Sequence, residues 1–188
     1  MPRAPQPAPL RRRAPRMLAA LIVAGALVAG CGDDGQDGTL SPLSAADCPF
    51  SGAADPVEGG SDDVDRSALT AVETDKDGCV DVITLRVDGG PGEWIAAYAD
   101  APVLDARGDD VDVDSNEALV VTLKGATSDL DGGGMAEVVP GPLDYVRELL
   151  VVPRPDDDEL HIVLGLAERL PFEVGGAEGG DGLEVRTG

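Results

Sequence analysis

Short apolar runs recur along the chain from about residue 66 onward. Most are too short for typical helices, and several alternate apolar with polar side chains, as half-buried strands do. In one of them Leu119, Val121 and Leu123 fall on the same face. The seven runs are SALTAVE (67–73), CVDVITLRV (79–87), EWIAAYA (93–99), ALVVTLKG (118–125), YVRELLVV (145–152), ELHIVLGL (159–166) and LEVRT (183–187).

These runs predict an all-β fold, in which residues 66–188 form a single compact β-sandwich-like domain of about six to eight strands. Turns rich in Gly, Pro and Asp separate the strands. The run YVRELLVV would also suit two turns of helix. We interpret it as a strand because Pro153 and Pro155 close it and valines fill its end.

Residues 31–65 are rich in Gly, Asp, Ser, Ala and Pro and show no sustained hydrophobic period. Such a segment cannot bury enough apolar surface to order itself. We therefore predict a flexible, disordered acidic tether over 31–65 in front of the folded domain.

The N-terminus has the layout of a secretory signal. Residues 1–16 contain five arginines and no acid, and residues 17–30 are uncharged. Fourteen residues rise about 21 Å as a helix, which is short of the roughly 30 Å hydrocarbon core of a membrane. Residues 1–30 are thus predicted to be a signal peptide. Arg11–Arg13 leaves open whether export uses the general or the twin-arginine route.

The signal ends in Leu27-Val28-Ala29-Gly30-Cys31, which resembles the lipobox of bacterial lipoproteins. That resemblance implies that Cys31 becomes the lipidated first residue of the mature chain, anchored to the outer face of the cell membrane. Two acyl chains suffice for stable attachment, whereas one holds a protein only marginally. The alternatives are an ordinary secretory signal with a cysteine near its cleavage site, or an uncleaved anchor.

The acidic composition excludes one class of partner. The chain carries 14 basic and 36 acidic residues, and loss of residues 1–30 would leave nine basic and 36 acidic residues, a net charge of −27. Nucleic acid is a poor partner for such a chain because binding a polyanion needs clustered Lys and Arg. The ordinary role of so many acidic side chains is to keep a solvated surface soluble.

Three cysteines must be apportioned in an oxidising compartment. With Cys31 lipidated, Cys48 and Cys79 remain as one pair, and we predict a disulfide between them. The bridge would close a loop of about 30 residues and stabilise the fold by roughly 3 to 4 kcal/mol.

The stretch that begins at Glu73, ETDKDGCVDVIT, has the acidic spacing of a calcium loop. Glu73, Asp75 and Asp77 take positions 1, 3 and 5 of an EF-hand frame, with Gly78 at position 6. Position 12 is Thr84, which cannot supply the two carboxylate oxygens that the ion requires. We interpret the stretch as a β-hairpin with Asp77-Gly78 as its turn pair, and we predict no metal site.

Candidate catalytic groups are few. His161 is the only histidine, and no acid and nucleophile accompany it at a known motif spacing. On its strand it points away from Leu160 and Ile162, so we expect a surface position. The run Gly132–Gly134 is not followed by the GK[ST] of a phosphate-binding loop. We predict that the protein is not an enzyme and takes no cofactor.

Trp94 and Tyr98 are the candidate ligand-binding side chains. On a strand they share a face, and two aromatic rings so arranged could stack on a sugar ring. Because the chain has only five aromatic residues and a domain of this size needs large side chains for its core, we favour the interpretation that both rings fill the core.

One family resemblance extends over residues 67–187. The run DGCVDVITLRVDGGPGEWIAAYADAPVLDARGDDVDVDSNEALVVTLKGA, then DYVRELLVV and IVLGLAERLPFEV, resembles the AMIN-like domain of bacterial secreted proteins and lipoproteins. Two features depart from the family pattern: Cys79 replaces an aromatic residue, and the last strand, LEVRT, is short. The resemblance implies a β-sheet module that binds an envelope component and has no catalytic activity.

Two functions remain in view. The first is a lipid-anchored module that binds peptidoglycan or another envelope component. The alternative is an envelope structural or interaction protein that binds another protein through an exposed sheet edge and has no affinity for the wall.

Overall fold

The computed structural model describes residues 48–64, 66–154 and 158–188. The predicted signal peptide and Cys31 lie outside these residues. The described part contains a short 3-10 turn at Leu130–Gly133 and eleven strands. The strands are β1 (Val57–Gly59), β2 (Ser67–Asp77), β3 (Val80–Asp88), β4 (Trp94–Tyr98), β5 (Glu117–Lys124), β6 (Ala126–Ser128), β7 (Ala136–Val138), β8 (Val146–Arg154), β9 (Glu159–Leu166), β10 (Phe172–Gly176) and β11 (Gly182–Thr187).

The strands form two sheets. One has six strands in the order β1-β4-β5-β9-β8-β7, and the other has five in the order β10-β11-β3-β2-β6. Every neighbouring pair is antiparallel except β2 and β6, which run parallel. The predicted all-β, two-layer architecture is confirmed. The strands outnumber the expected six to eight because β1, β6, β7 and β10 have only three to five residues, too few to show a period in the sequence.

All seven predicted strands are present, including the ambiguous run YVRELLVV, which forms most of β8. The expectation that Pro153 closes this strand is wrong, because β8 continues to Arg154. The neighbouring β7 pairs with β8 only as far as Val151. Pro153 therefore lies where one side of the strand is an open edge, and strands tolerate a residue without an N–H group there.

The main core lies between the two sheets. The alternating apolar residues predicted to share a face are fully buried there, as Leu119, Val121 and Ile162 illustrate. Phe172 of β10 is the largest of the fully buried side chains. Alternation along β5 and β9 thus predicted correctly which side chains face the core.

A second, smaller apolar cluster covers the outer face of the six-stranded sheet. Leu150, Val152 and Val163 project from β8 and β9, and they pack with Val103 of the long β4–β5 connection. This connection is therefore a cover over the sheet rather than a solvated loop. Its charged composition concealed that role in the sequence.

The hairpin predicted at the acidic stretch is confirmed: β2 and β3 pair in antiparallel register, with Asp77 opposite Val80. The two residues of the turn are Gly78 and Cys79, one position later than expected. Gly78 has a φ of 65°, in the left-handed region that glycine adopts without strain.

Part of the predicted tether belongs to the folded domain. The strand β1 pairs with β4, and Ala53 exchanges two backbone hydrogen bonds of 2.8 Å with Phe172 of β10. The Sγ atoms of Cys48 and Cys79 lie 2.06 Å apart, with the two Cα atoms 5.7 Å apart. The prediction of a flexible segment up to residue 65 is thus wrong for residues 53 and 57–59, which are held by backbone pairing, with Val57 also packed against the main core.

A buried carboxylate links the two sheets. Asp81 of β3 has no exposed surface. Its Oδ1 accepts the N–H of Asp144 at 2.9 Å, and its Oδ2 accepts the N–H groups of Tyr145 and Val146 at 2.7 and 2.9 Å. Lys76 of β2 forms an ion pair with Asp144 in the same segment. The five-stranded sheet therefore holds the start of β8 in the six-stranded sheet.

Candidate binding groove

A groove opens beside the β4–β5 connection, where β4 ends and β5 begins. Its volume is about 710 Å³, and it is lined by residues 99–103, 110–113, 115–118 and Arg169. We call it the Arg169 groove. Its lining mixes small apolar side chains such as Ala99 and Val113 with acidic and amide groups such as Asp112 and Asn116.

The loop that forms one wall is held by a carboxylate-centred turn. Asp105 Oδ1 accepts the N–H of Arg107 at 2.8 Å and that of Asp109 at 2.9 Å. The bond from Asp109 and then the bond from Arg107 hold the pKa of Asp105 below its ordinary value. A backbone bond of 2.8 Å from Val111 to the carbonyl of Val103 closes the loop. The wall is therefore organised by its own polar contacts.

Arg169 supplies a cation at the side of this groove. Its guanidinium carbon lies 4.5 Å from the centre of the Tyr98 ring, a cation–π contact. Its Nε lies 3.4 Å from Oε2 of Glu117. The side chain is 48% exposed, so the guanidinium still has donors available to a ligand.

Tyr98 fixes the segment that carries Arg169. The Tyr98 hydroxyl donates to the carbonyl of Leu170 at 2.7 Å and accepts the N–H of Leu170 at 2.8 Å. Its ring meets Phe172 edge to face, with the ring centres 5.8 Å apart. Burial raises the pKa of the Tyr98 hydroxyl, so it stays protonated and able to donate.

The two aromatic candidates from the sequence are both buried. Trp94 is 7% exposed and Tyr98 is 8% exposed, and both belong to the main core. They do share a face of β4, but that face is turned toward the opposite sheet. The structure therefore agrees with the favoured interpretation, in which both are core side chains, and these two rings do not form an exposed stacking surface. Tyr98 reaches the groove only through Arg169.

Two further polar groups distinguish the groove. Asn116 donates its Nδ2 to the carbonyl of Ala167 at 2.9 Å, which ties the groove to the segment before Arg169. Ser115 lines the groove, and its Oγ is buried with no hydrogen-bond partner among the described residues. Buried hydroxyls are normally satisfied. Within the described residues, this hydroxyl therefore lies unsatisfied below the surface of the groove.

The other residues considered in the sequence lie away from this groove. Asp77 of β2 pairs with Arg186 of β11 at 2.6 Å, and Glu73 of β2 pairs with Arg86 of β3 at 2.9 Å. Over residues 48–64, 66–154 and 158–188, no three His, Cys, Asp or Glu side chains are placed to hold a metal ion.

His161 is less exposed than the surface position predicted for it. Its side chain is only 16% exposed, and its Nε2 lies 3.2 Å from Oε2 of Glu159. The outer face of its sheet carries the second apolar cluster, which includes Val163 two residues further along β9. The outward direction predicted from alternation therefore leads to a covered surface rather than to solvent.

Sequence reasoning missed Arg169 and the groove around it. The segment RLPF was part of the family resemblance, but 71 positions separate Tyr98 from Arg169, and no local pattern indicates that they meet.

No helix in the described residues has the length and apolar character needed to cross a membrane.

Comparison with known families supports the resemblance noted in the sequence. The model of the AMIN-like domain matches residues 67–184, which is more than half of the chain. No match was found among curated proteins or among solved structures. The matched region begins with β2 and ends within β11, so it includes most of both sheets and all of the Arg169 groove. The chain therefore belongs to the AMIN-like domain family.

Proposed function

We propose that this protein is a non-enzymatic, lipid-anchored module that binds peptidoglycan, or a closely related envelope component, through the Arg169 groove. AMIN-like domains are envelope modules of the peptidoglycan-binding type. The observation that carries the proposal to a particular surface is Arg169, a half-exposed cation held over a buried aromatic ring beside an open groove.

The groove suits the chemistry of a wall strand. Peptidoglycan combines sugar hydroxyls with stem peptides that end in carboxylates. The guanidinium of Arg169 would pair with a carboxylate in the forked geometry that arginine favours. Asp112 and Asn116 offer acceptors and donors to hydroxyl groups, and the small apolar side chains beside them leave room for a ring.

The surrounding charge adds selectivity. Apart from Arg169, the charged residues that line the groove are acidic: Asp100, Asp110, Asp112 and Glu117. A polyanion would be repelled by these carboxylates, whereas a glycan with isolated carboxylates can place one of them on Arg169 and keep the others in solvent. The proposal therefore assigns the groove to the wall glycan with its peptides rather than to an anionic envelope polymer.

The anchor is the second part of the proposal. Cys31 follows the lipobox-like sequence, and an envelope address agrees with the family. Partition into a detergent phase tests it. The intact protein should enter the detergent phase, and the Cys31→Ser variant should move to the aqueous phase. A variant that stays in the detergent phase would exclude lipidation at Cys31.

Co-sedimentation with purified cell-wall sacculi tests the binding function. The full-length protein should sediment with sacculi equally in calcium and in chelator, because no metal is proposed. Arg169→Gln should weaken binding about 10- to 100-fold, the equivalent of a lost charged hydrogen bond of about 1.5–3 kcal/mol. Arg147→Gln, a change of an exposed arginine on β8, is the matched control and should bind as the wild type does.

Failure of the wild-type protein to sediment would refute wall binding. Equal loss in the Arg169→Gln and Arg147→Gln variants would instead indicate a nonspecific effect of charge, and the Arg169 groove would then be excluded as the binding site.

A further inference from the structure

The strand β10 ends the five-stranded sheet, and part of its outer edge is uncovered. We propose that residues Val174–Gly176 are a docking edge for an extended, basic segment of a partner protein, which adds to the sheet as a further strand. This interaction goes beyond the proposed wall binding, uses a different surface, and stands or falls independently of it.

The alternation of hydrogen-bond directions along β10 shows which of its backbone groups face outward. Both the N–H and the C=O of Phe172 bond to Ala53, on the side away from β11. In an antiparallel strand these directions alternate from residue to residue. The N–H and C=O groups of Val174 and Gly176 therefore also point outward, whereas those of Glu173 and Gly175 face β11. No strand occupies this edge among the described residues.

The strand is open to solvent along this segment. Glu173, Gly175 and Gly176 are exposed and Val174 is half-buried. A Cβ atom added to Gly175 or to Gly176 would meet no other atom within 4 Å, so the faces of the strand beside the edge are also uncovered. Glycine in a strand often marks a place where a ligand or a second backbone approaches closely. Val174 and Gly176 together present four backbone groups to such a strand, enough for two paired residues in an antiparallel arrangement.

A groove beside the edge can receive side chains of the added strand. Its volume is about 370 Å³, and its apolar lining includes Ala53, Val57, Phe172 and Val174. Val57 belongs to β1 of the six-stranded sheet, so the groove lies at the open side of the sandwich between the two sheets. Every second side chain of an added strand would face one side. An aliphatic residue at those positions fits this lining.

The other outermost strands of the two sheets, β1, β6 and β7, have three residues each. The free part of β10, Val174–Gly176, is equally short, because Ala53 already pairs with Phe172. Length therefore does not distinguish β10 from the other edges. The case for β10 rests on the groove beside it and on the charge of that groove.

Charge indicates the kind of partner. Glu173 and Glu184 line the groove, and the one arginine there, Arg186, is already paired with Asp77 and Glu184. A basic segment would complement these carboxylates. A second copy of this chain would bring the same acidic edge and would be repelled. A glycan has no series of amide groups with which to pair a strand edge.

A nine-residue peptide that alternates lysine and valine is the probe, and a peptide with glutamate in place of lysine is its control. Binding to the full-length protein in a non-ionic detergent would be followed by amide hydrogen exchange in about 0.15 M salt, where long-range attraction is screened. The amides of Val174 and Gly176 should exchange quickly in the free protein and at least tenfold more slowly with the basic peptide. The acidic peptide should leave them unchanged. Unchanged exchange at both residues with the basic peptide would overturn the proposal.

Two variants separate strand addition from loose attraction between opposite charges. Val174→Pro removes an outward N–H and should abolish peptide binding, while Val174→Thr keeps that N–H and should bind normally. If the proline variant does not fold, N-methylated peptides decide the question with the wild-type protein. Two such peptides are compared, one methylated at the odd-numbered amides and the other at the even-numbered amides. Only the peptide whose methylated amides would face β10 should lose binding. Binding that survives Val174→Pro, or binding of both methylated peptides, would refute strand addition.

Discussion

Replacing Asp81 with asparagine tests whether a single buried carboxylate holds the two sheets together. The asparagine side chain has nearly the same shape, but one carboxylate oxygen becomes an NH₂ group, which can only donate. Asp81 accepts three backbone N–H groups, one at Oδ1 and two at Oδ2. If the amide oxygen takes the Oδ2 position, the N–H of Asp144 loses its acceptor and faces another donor.

The magnitude follows from those three contacts. One buried N–H without a partner costs about 1–3 kcal/mol, and the other two bonds weaken because their acceptor is no longer charged. The neutral asparagine also avoids the free-energy cost of burying a charge, which offsets part of this destabilisation. We expect the free energy of unfolding to fall by about 2–4 kcal/mol. For a domain of this size that corresponds to a decrease in Tm of about 5 to 15 °C.

Urea unfolding of the wild-type and Asp81→Asn proteins measures the change. Asp88→Asn, at the exposed end of the same strand, is the matched control and should alter the free energy by less than about 0.5 kcal/mol. Asp81→Ala leaves all three N–H groups unsatisfied and should be more destabilising still. If Asp81→Asn unfolds within about 0.5 kcal/mol of the wild type, the link between the sheets is not what stabilises the fold.

Three further expectations follow from the contacts around the groove and the N-terminal segment. Tyr98→Phe removes both bonds to Leu170, so the free energy of urea unfolding should fall by about 1–3 kcal/mol and sacculus binding should weaken; unchanged binding would exclude Tyr98 as the support of the groove. Because the pKa of Asp105 is lowered in the folded protein, its carboxylate stabilises the turn fully above the ordinary aspartate pKa, and this stabilisation is lost as pH falls through the lowered value. Amide exchange in the turn should show this loss, and Asp105→Asn should remove the pH dependence. Changing Cys48 and Cys79 together to serine should lower the free energy of unfolding by roughly 3 to 4 kcal/mol, and titration of the wild type should find neither thiol free.

The fold was largely predictable where the chain alternates over many residues. Strands such as β5 and β9 run for eight residues each, so the faces of Leu119 and Ile162 could be assigned from sequence. The three-residue strands β1, β6 and β7 could not, because pairing to a longer neighbour decides whether such a short segment is extended. For the same reason, the sequence did not show that the folded domain includes β1, which begins at Val57.

The candidate site was harder to predict. Alternation correctly placed Trp94 and Tyr98 on one face of a strand, but it does not reveal which of the two faces is covered. The contact between Tyr98 and Arg169 joins residues far apart in the sequence. The cover formed by the β4–β5 connection depends on a few apolar residues, such as Val103, among many acidic ones. These features follow from tertiary packing and leave no periodic signal in the sequence.

The most direct test of the central claim is to map soluble peptidoglycan fragments onto the isotope-labelled full-length protein by NMR chemical shifts. The account predicts that the shifts change at backbone amides of residues 100–118 and around Arg169, and that Arg169→Gln removes most of these changes. No shift changes at saturating fragment concentration, or changes confined to β10 and the outer face of the five-stranded sheet, would contradict it.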